Sequence, residues 1–285
     1  MDPRTCVITG ATAGIGRATA FALARHGFRL GLVCRSRAKG EALSEALRAE
    51  AGAADVALFV ADLGVQTDVR RAADEILAGF PRLDVLLNNA GVFQTRFEET
   101  ADGIETTLAV NHLAYFLLTD LLRERLVASA PARIVSVASN AHRFARLDLN
   151  DLEFRNRPFG AMRVYGTSKL LNVMWNAELA RRLEGSGVSA NCVHPGGVNT
   201  GLGDQNGGVL AQVGGLVKRF LRSPDKGAET SVHLATAPQL VDVSGRYFAN
   251  CRERRPSAAA RDAAAQAQLW ELSEALVAGS ASPAG

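Results

Sequence analysis

Disulfides, metal clusters and membrane spans all lack a signature in this 285-residue sequence. Its four cysteines, Cys6, Cys34, Cys192 and Cys251, lie far apart, with no C-x-x-C or Cys/His ligand spacing. Three of them fall in apolar, strand-like runs. They read as reduced core residues of a cytoplasmic protein, and no metal is expected. No apolar run approaches the ~20 residues that span a bilayer. The strand-like TCVITG begins almost at Met1, so neither a signal peptide nor a membrane anchor is expected. Charge of one sign is scarce as well. Thirty-two Lys and Arg against 29 Asp and Glu leave a net charge of +3, which gives no electrostatic case for nucleic acid. The short cluster CRERR at Cys251–Arg255 reads as a solvated loop. Pro/Gly/Ser-rich linkers are missing ahead of the tail, so residues 1–278 are expected to form one domain, with 279–285 frayed.

What the chain does have is a 47% hydrophobic composition, enough to bury a sizeable core, arranged in a repeating pattern. Seven short runs read as strands: TCVIT, RLGLVC, VALFVA, DVLLNN, RIVSVAS, VSANCVH and GRYFA. They are almost continuously apolar, as strands covered on both faces are. Amphipathic segments separate the first six, among them Ile15–Arg25, Lys39–Ala51 and Thr67–Ala78. The alternation predicts an α/β fold: a doubly wound, mostly parallel seven-stranded sheet with helices on both faces. Asn140–Arg163 and Gly201–Ser223 interrupt it. Both read as surface loops, and both follow strand C-terminal ends, where open α/β sheets bind ligands. The segment AAARDAAAQAQLWELSEALVAG reads as an Ala-rich helix.

The first strand runs into TGATAGIGRATAFALARHG. Gly10, Gly14 and Gly16 sit in a strand-to-helix turn, where glycine permits tight turning and close backbone approach to a ligand. The new helix offers free N–H groups and a positive dipole end to a pyrophosphate. An acid that holds the adenosine ribose is expected about 20 residues further on. Arg35 stands there instead, with Arg37 and Lys39 nearby. An arginine forks onto a 2′-phosphate, so NADP(H) is favoured over NAD(H). Asp62 ends the third strand and NNAG (Asn88–Gly91) the fourth.

In RVYGTSKLLNVMWNAELARRL, Tyr165 and Lys169 lie at i and i+4 and share one helix face. Taken singly, such a pair is a surface tyrosine with a snorkelling lysine. Beside a glycine-rich turn it also reads as an acid/base tyrosine whose proton is loosened by a neighbouring cation. Ser139 read singly caps a turn, and Asn111 bends or bonds a helix. His142 and His194 have no partner at ligand spacing and read as structural or pocket-lining.

In their order and spacing, TGATAGIG, NNAG, Asn111 in AVNHLAYFLLT, Ser139 in RIVSVAS, YGTSK and HPGGVNT resemble the short-chain dehydrogenase/reductase family. The resemblance covers nearly the whole chain. Within that family the chain is most similar to the retinol-dehydrogenase-like branch, through ASNAH, LARRLEGSGV and the LWELSEALV tail. The resemblance implies a Rossmann-type oxidoreductase with the tetrad Asn111, Ser139, Tyr165 and Lys169. Asn111 would hold a water that links Lys169 to solvent. It further implies NADP(H) contacts from Gly10, Thr12, Gly14, Ile15 and Gly16 in the turn, then from Arg35, Asp62 and Leu63. Asn89, Ala90, Gly91, Tyr165, Lys169, Val198 and Thr200 complete the implied set. The substrate would be a small hydrophobic carbonyl or alcohol, with Phe93, Asn140–Arg163 and Gly201–Ser223 shaping the choice. The family also implies a homodimer through the helix over Gly103–Ala128 and the tyrosine helix, with a monomer left open by the tail. Two other readings stay open: a silent NADP(H)-binding sensor or scaffold, and a sugar-nucleotide epimerase or dehydratase.

Overall fold

Seven apolar runs become parallel strands because each is buried between two helical layers. The computed structural model describes residues 3–52, 55–197 and 222–278. The strands are β1 (Thr5–Thr9), β2 (Arg29–Cys34), β3 (Val56–Val60) and β4 (Val85–Asn88). They continue with β5 (Ala132–Val137), β6 (Val188–His194) and β7 (Tyr247–Ala249). Their order is β3-β2-β1-β4-β5-β6-β7, so the direction of winding reverses between β1 and β4. A crevice opens at the strand C-terminal ends at such a switch point.

The sheet exceeds the expected count by one strand. Among the described residues it has eight, the last being β8 (Arg252–Arg254), antiparallel to β7. CRERR is therefore half of a hairpin and not a loop. Asn250 and Cys251 turn the chain with φ of +55° and +56°, the two consecutive positive values of a tight hairpin turn. All three β8 residues are exposed, so no apolar pattern marks the strand, and their charges protect the open sheet edge.

The helices divide between the two faces. α1 (Gly14–Arg25), α2 (Arg37–Ala51) and α7 (Pro224–Thr236) bury Phe21, Leu23, Leu43, Leu47 and Leu234 against one side. The other side receives α3 (Gln66–Gly79), α5 (Ala114–Ala128), α6 (Ala161–Arg182) and α8 (Ala263–Ala278). The Ala-rich tail is split at Asp262. Ala259–Arg261 make one tight turn, and the Asp262 carboxylate then accepts the Ala265 N–H at 3.1 Å to start α8. α8 lies across the two helices named above for self-association. Its Trp270 ring meets Phe116 of α5 at 4.9 Å, and Arg182 of α6 stacks 4.2 Å above Trp270. Among the described residues no helix is long and apolar enough to cross a membrane. Val198, Thr200 and 201–221 lie outside the described residues.

The helix over Gly103–Ala128 is shorter than expected and interrupted. α4 (Thr106–Leu108) passes into α5 through a π-turn at Ala109–Leu113. This wider turn contains Asn111, whose Oδ1 accepts the Val92 N–H at 2.7 Å while its Nδ2 donates to the Val92 carbonyl at 3.0 Å. Nδ2 also donates to Ser168 Oγ on α6 at 3.0 Å. The Asn111 carbonyl accepts from Asn172 Nδ2 at 2.8 Å. Asn172 Oδ1 lies 3.1 Å from His112 Nδ1, and His112 Nε2 lies 3.0 Å from Ser273 Oγ of α8. The Asn172 amide nitrogen is committed to the Asn111 carbonyl, which assigns a ring proton to Nδ1, while the Ser273 hydroxyl beside Nε2 also reaches the Leu269 carbonyl at 2.8 Å.

Burial pushes His112 down to about 4, opposed by its bond to Asn172. An unfolded histidine takes its proton near ~6.5. Between these values the unfolded chain binds more protons, so stability is full above ~6.5 and falls as pH drops toward 4. Urea midpoints measured between pH 7 and pH 5 should therefore decline. His112→Gln should flatten that decline without removing it, because His142 and His194 are also depressed. A wild-type slope retained in full by the variant would contradict the burial argument. Asn111→Ala strands both Val92 backbone groups and should cost about 2 kcal/mol or more, read as a lower urea midpoint at pH 7.

Candidate active site

The glycines of the first turn are there because backbone crosses backbone. Gly10 has φ of +66°, and a Cβ there would lie 2.7 Å from the Ala90 Cα. A Cβ on Gly16 would collide with the Gly10 carbonyl oxygen and the Asn89 amide. Asn89 ties the two strand ends together: Nδ2 donates to the Thr9 carbonyl at 2.9 Å and to the Gly10 carbonyl at 3.2 Å. Thr9 Oγ1 in turn accepts the Asn89 and Ala90 N–H groups at 2.9 and 3.0 Å. α1 starts without a side-chain cap and without an acid in its first turn, so its positive end stays available to an anion.

A cleft of about 410 Å³ opens from this turn along the strand ends. Gly10, Thr12, Gly14, Ile15 and Gly16 form one end of it. Arg35, Asp62 and Leu63 form the middle, and Asn89, Ala90 and Gly91 the inner wall. Ser139, Tyr165 and Lys169 close the far end. Asn111 does not reach the wall. It stands behind Gly91, where a Cβ would come within 3.4 Å of its Oδ1 and 3.6 Å of Lys169 Nζ. Val110, Val92, Pro195 and Gly196 also line the cleft and went unread. Val92 follows NNAG directly, and Pro195 and Gly196 lie within HPGGVNT. Among the described residues no His/Cys/Asp/Glu cluster could hold a metal.

The second strand carries no acid, yet a carboxylate is near. Asp62 Oδ2 from the end of β3 lies 3.9 Å from Arg35 Nη1. Both side chains are largely exposed, so the pair is weak and the guanidinium remains able to exchange partners. Asp62 Oδ1 is engaged by the Gly64 N–H at 2.9 Å. Ser36 caps α2 by accepting the Lys39 N–H at 3.4 Å, which sets Lys39 on the same wall as Arg35.

Ser139 does cap a turn. Its Oγ accepts the Ala141 N–H at 3.2 Å at the start of a 3₁₀ helix, Asn140–Phe144. The same side chain lies close enough to the Tyr165 hydroxyl to lower its pKa. His142 holds this corner from below. Its Nδ1–H donates to the Ser139 carbonyl at 2.7 Å, and its Nε2 accepts the Ser257 N–H at 3.2 Å. His194 Nδ1 accepts the Asn140 N–H at 3.2 Å, and burial holds that ring down to about 4, so it is neutral at pH 7. Phe93 meets the Tyr165 ring edge-on at 5.6 Å.

The electrostatics of the Tyr–Lys pair run against the expectation of an acidified phenol. Lys169 Nζ donates to the Val137 carbonyl at 2.9 Å and lies 5.8 Å from the Tyr165 ring centre. Burial pushes this ammonium down to about 8. Burial also pushes the Tyr165 hydroxyl above its ordinary value, against the lowering effect of Ser139. Desolvation is the largest influence on each, and neither group registers on the other.

Residues 4–207 match the family model for short chain dehydrogenase. Retinol dehydrogenase 12 of Mus musculus is 41% identical over 270 residues, covering 95% of this chain and 85% of the relative. Retinol dehydrogenase 14 of Homo sapiens is 39% identical, covering 97% and 87%. A crystal structure of an uncharacterised protein from Mycobacterium paratuberculosis superposes with a TM-score of 0.79 at 34% identity, over 96% of this chain and 93% of that one. A short chain dehydrogenase from Burkholderia cenocepacia in complex with NADP superposes with a TM-score of 0.69 at 27% identity, over 86% and 95%. Sheet order, glycine turn and sequence likeness agree: the chain belongs to the short-chain dehydrogenase/reductase family, in its retinol-dehydrogenase-like branch.

Proposed function

We propose that the chain is an NADP(H)-dependent oxidoreductase that reduces a hydrophobic ketone or aldehyde, or oxidises the matching alcohol, with Tyr165 as the acid/base residue. The observation that carries this reading is that Ser139, Tyr165 and Lys169 line one end of the same cleft that begins at the glycine turn. Bound there, a nicotinamide would supply the hydride chemistry; orientation and the proton fall to the protein. The residues present fit such a group. The uncapped start of α1 suits the pyrophosphate, and a Cβ at Gly10 or Gly16 would fill the cradle with steric conflict. Arg35 and Lys39 offer a 2′-phosphate two cations, and the relative solved with NADP is consistent with that choice.

In the reducing direction negative charge grows on the substrate oxygen. Ser139 Oγ donates a hydrogen bond to it, and Tyr165 gives up its hydroxyl proton. The raised Tyr165 value means that the phenol holds its proton at neutral pH, as a donor must. Once the proton has left, the nearby charge of Lys169 favours the phenolate, while the Ser139 hydroxyl proton stays directed at the substrate oxygen. Met162 lies three residues before Tyr165 on α6, and Phe144 ends the turn that Ser139 caps. Both are exposed apolar side chains, as a hydrophobic substrate would call for. The relatives' name, retinol dehydrogenase, points the same way. The intact Ser139–Tyr165–Lys169 arrangement favours turnover over a silent sensor.

Tyr165→Phe should lower NADPH-dependent reduction of a panel of hydrophobic carbonyls by about a hundredfold or more, with NADPH affinity unchanged. Full residual activity would refute the proton role, and NADPH binding without turnover in either form would favour the sensor. Arg35→Asp should move the NADPH/NADH preference toward NADH by about tenfold or more, measured as the ratio of kcat/KM values. An unchanged ratio would mean that the 2′-phosphate is held elsewhere.

A further inference from the structure

A second cavity, of about 420 Å³, lies outside the cleft. Its inner wall is Val173, Asn176 and Ala177 of α6, with Cys192 of β6 at its base. Tyr247 and the β8 segment form the opposite side, and the turn ahead of α8 closes the end. Nothing in the proton or cofactor argument uses these residues.

Four arginines, Arg246, Arg254, Arg255 and Arg261, line it against a single acid, Glu253. Glu253 pairs with Arg246, at 3.7 Å. Among the described residues no carboxylate pairs with Arg254, Arg255 or Arg261. The three guanidiniums come from β8, the residue after it and the turn before α8, and they present planar donor forks that match phosphate oxygens. A volume of this size takes a metabolite and not a macromolecular surface.

We propose that this cavity is a second ligand site, one that binds a small organic phosphate. The phosphate sits among Arg254, Arg255 and Arg261. The Tyr247 wall is also the neighbour of the candidate active site. Its ring meets His142 at 5.0 Å, and His142 donates to the Ser139 carbonyl.

The test uses inorganic pyrophosphate as probe, titrated calorimetrically into the full chain. Arg254→Gln combined with Arg261→Gln removes two exposed cations from separate elements and should leave the melting temperature unchanged. Pyrophosphate affinity, measured with saturating NADPH present so that the α1 start is occupied, should fall by about tenfold or more in that double variant. Equal binding by the double variant and wild type under those conditions, or no binding by wild type, would each overturn the site. A parallel sedimentation with phosphatidylcholine vesicles, with and without an anionic phospholipid, separates the remaining source. Retention on anionic vesicles without pyrophosphate binding would assign the arginines to a membrane surface and overturn the small-molecule proposal.

Discussion

The Asn111 clasp on Val92 is the contact on which the geometry of the cleft depends. Parallel strands deliver their C-terminal ends to one level, but the segment that leaves β4 has no strand to pair with. One side chain answers both its donor and its acceptor, and the π-turn aims that side chain. The same amide reaches Ser168, whose hydroxyl donates to the Tyr165 carbonyl at 2.8 Å. The loop after β4 and the first turns of α6 are thereby held by one residue. A buried polar network of this kind is favourable only when every member is satisfied, and here its members are bonded from Val92 to Ser273.

Burial has a second effect on the same face of α6. Lys169 is almost fully enclosed, and the enclosure draws its ammonium toward neutrality. The Val137 carbonyl at 2.9 Å keeps the side chain aimed along the sheet edge. A lysine placed this way acts as a charge whose strength varies with what else is in the cleft, because any cation or anion beside it alters the same balance.

Much of this was legible in the chain because apolar runs report burial directly. The seven parallel strands follow from nearly unbroken Val, Ile and Leu, and Gly10 and Gly16 from a turn no side chain could enter. Ser139, Tyr165 and Lys169 come together in the cleft as their spacing and the family likeness implied. β8 was not legible, since an exposed edge strand of Arg-Glu-Arg has no hydrophobic period to read. The π-turn was not legible either: one extra residue in a helix leaves the apolar pattern of AVNHLAYFLLT almost intact. The direction of the Tyr165 shift was missed because sequence spacing reports proximity and not desolvation. His112, Asn172 and Asn176 did carry a signal, as polar residues inside otherwise apolar helical stretches, where a buried partner is the rule.

The docking of α8 has a consequence for how the protein ages. Its Ser273 hydroxyl is the terminal link in a relay of side chains that ends at Val92, and Trp270 anchors the same helix between Phe116 and Arg182. A protease that trims the chain ahead of Trp270 removes few residues yet unseats His112. A clipped preparation would keep its sheet while the corner around Asn111 and Tyr165 loosens.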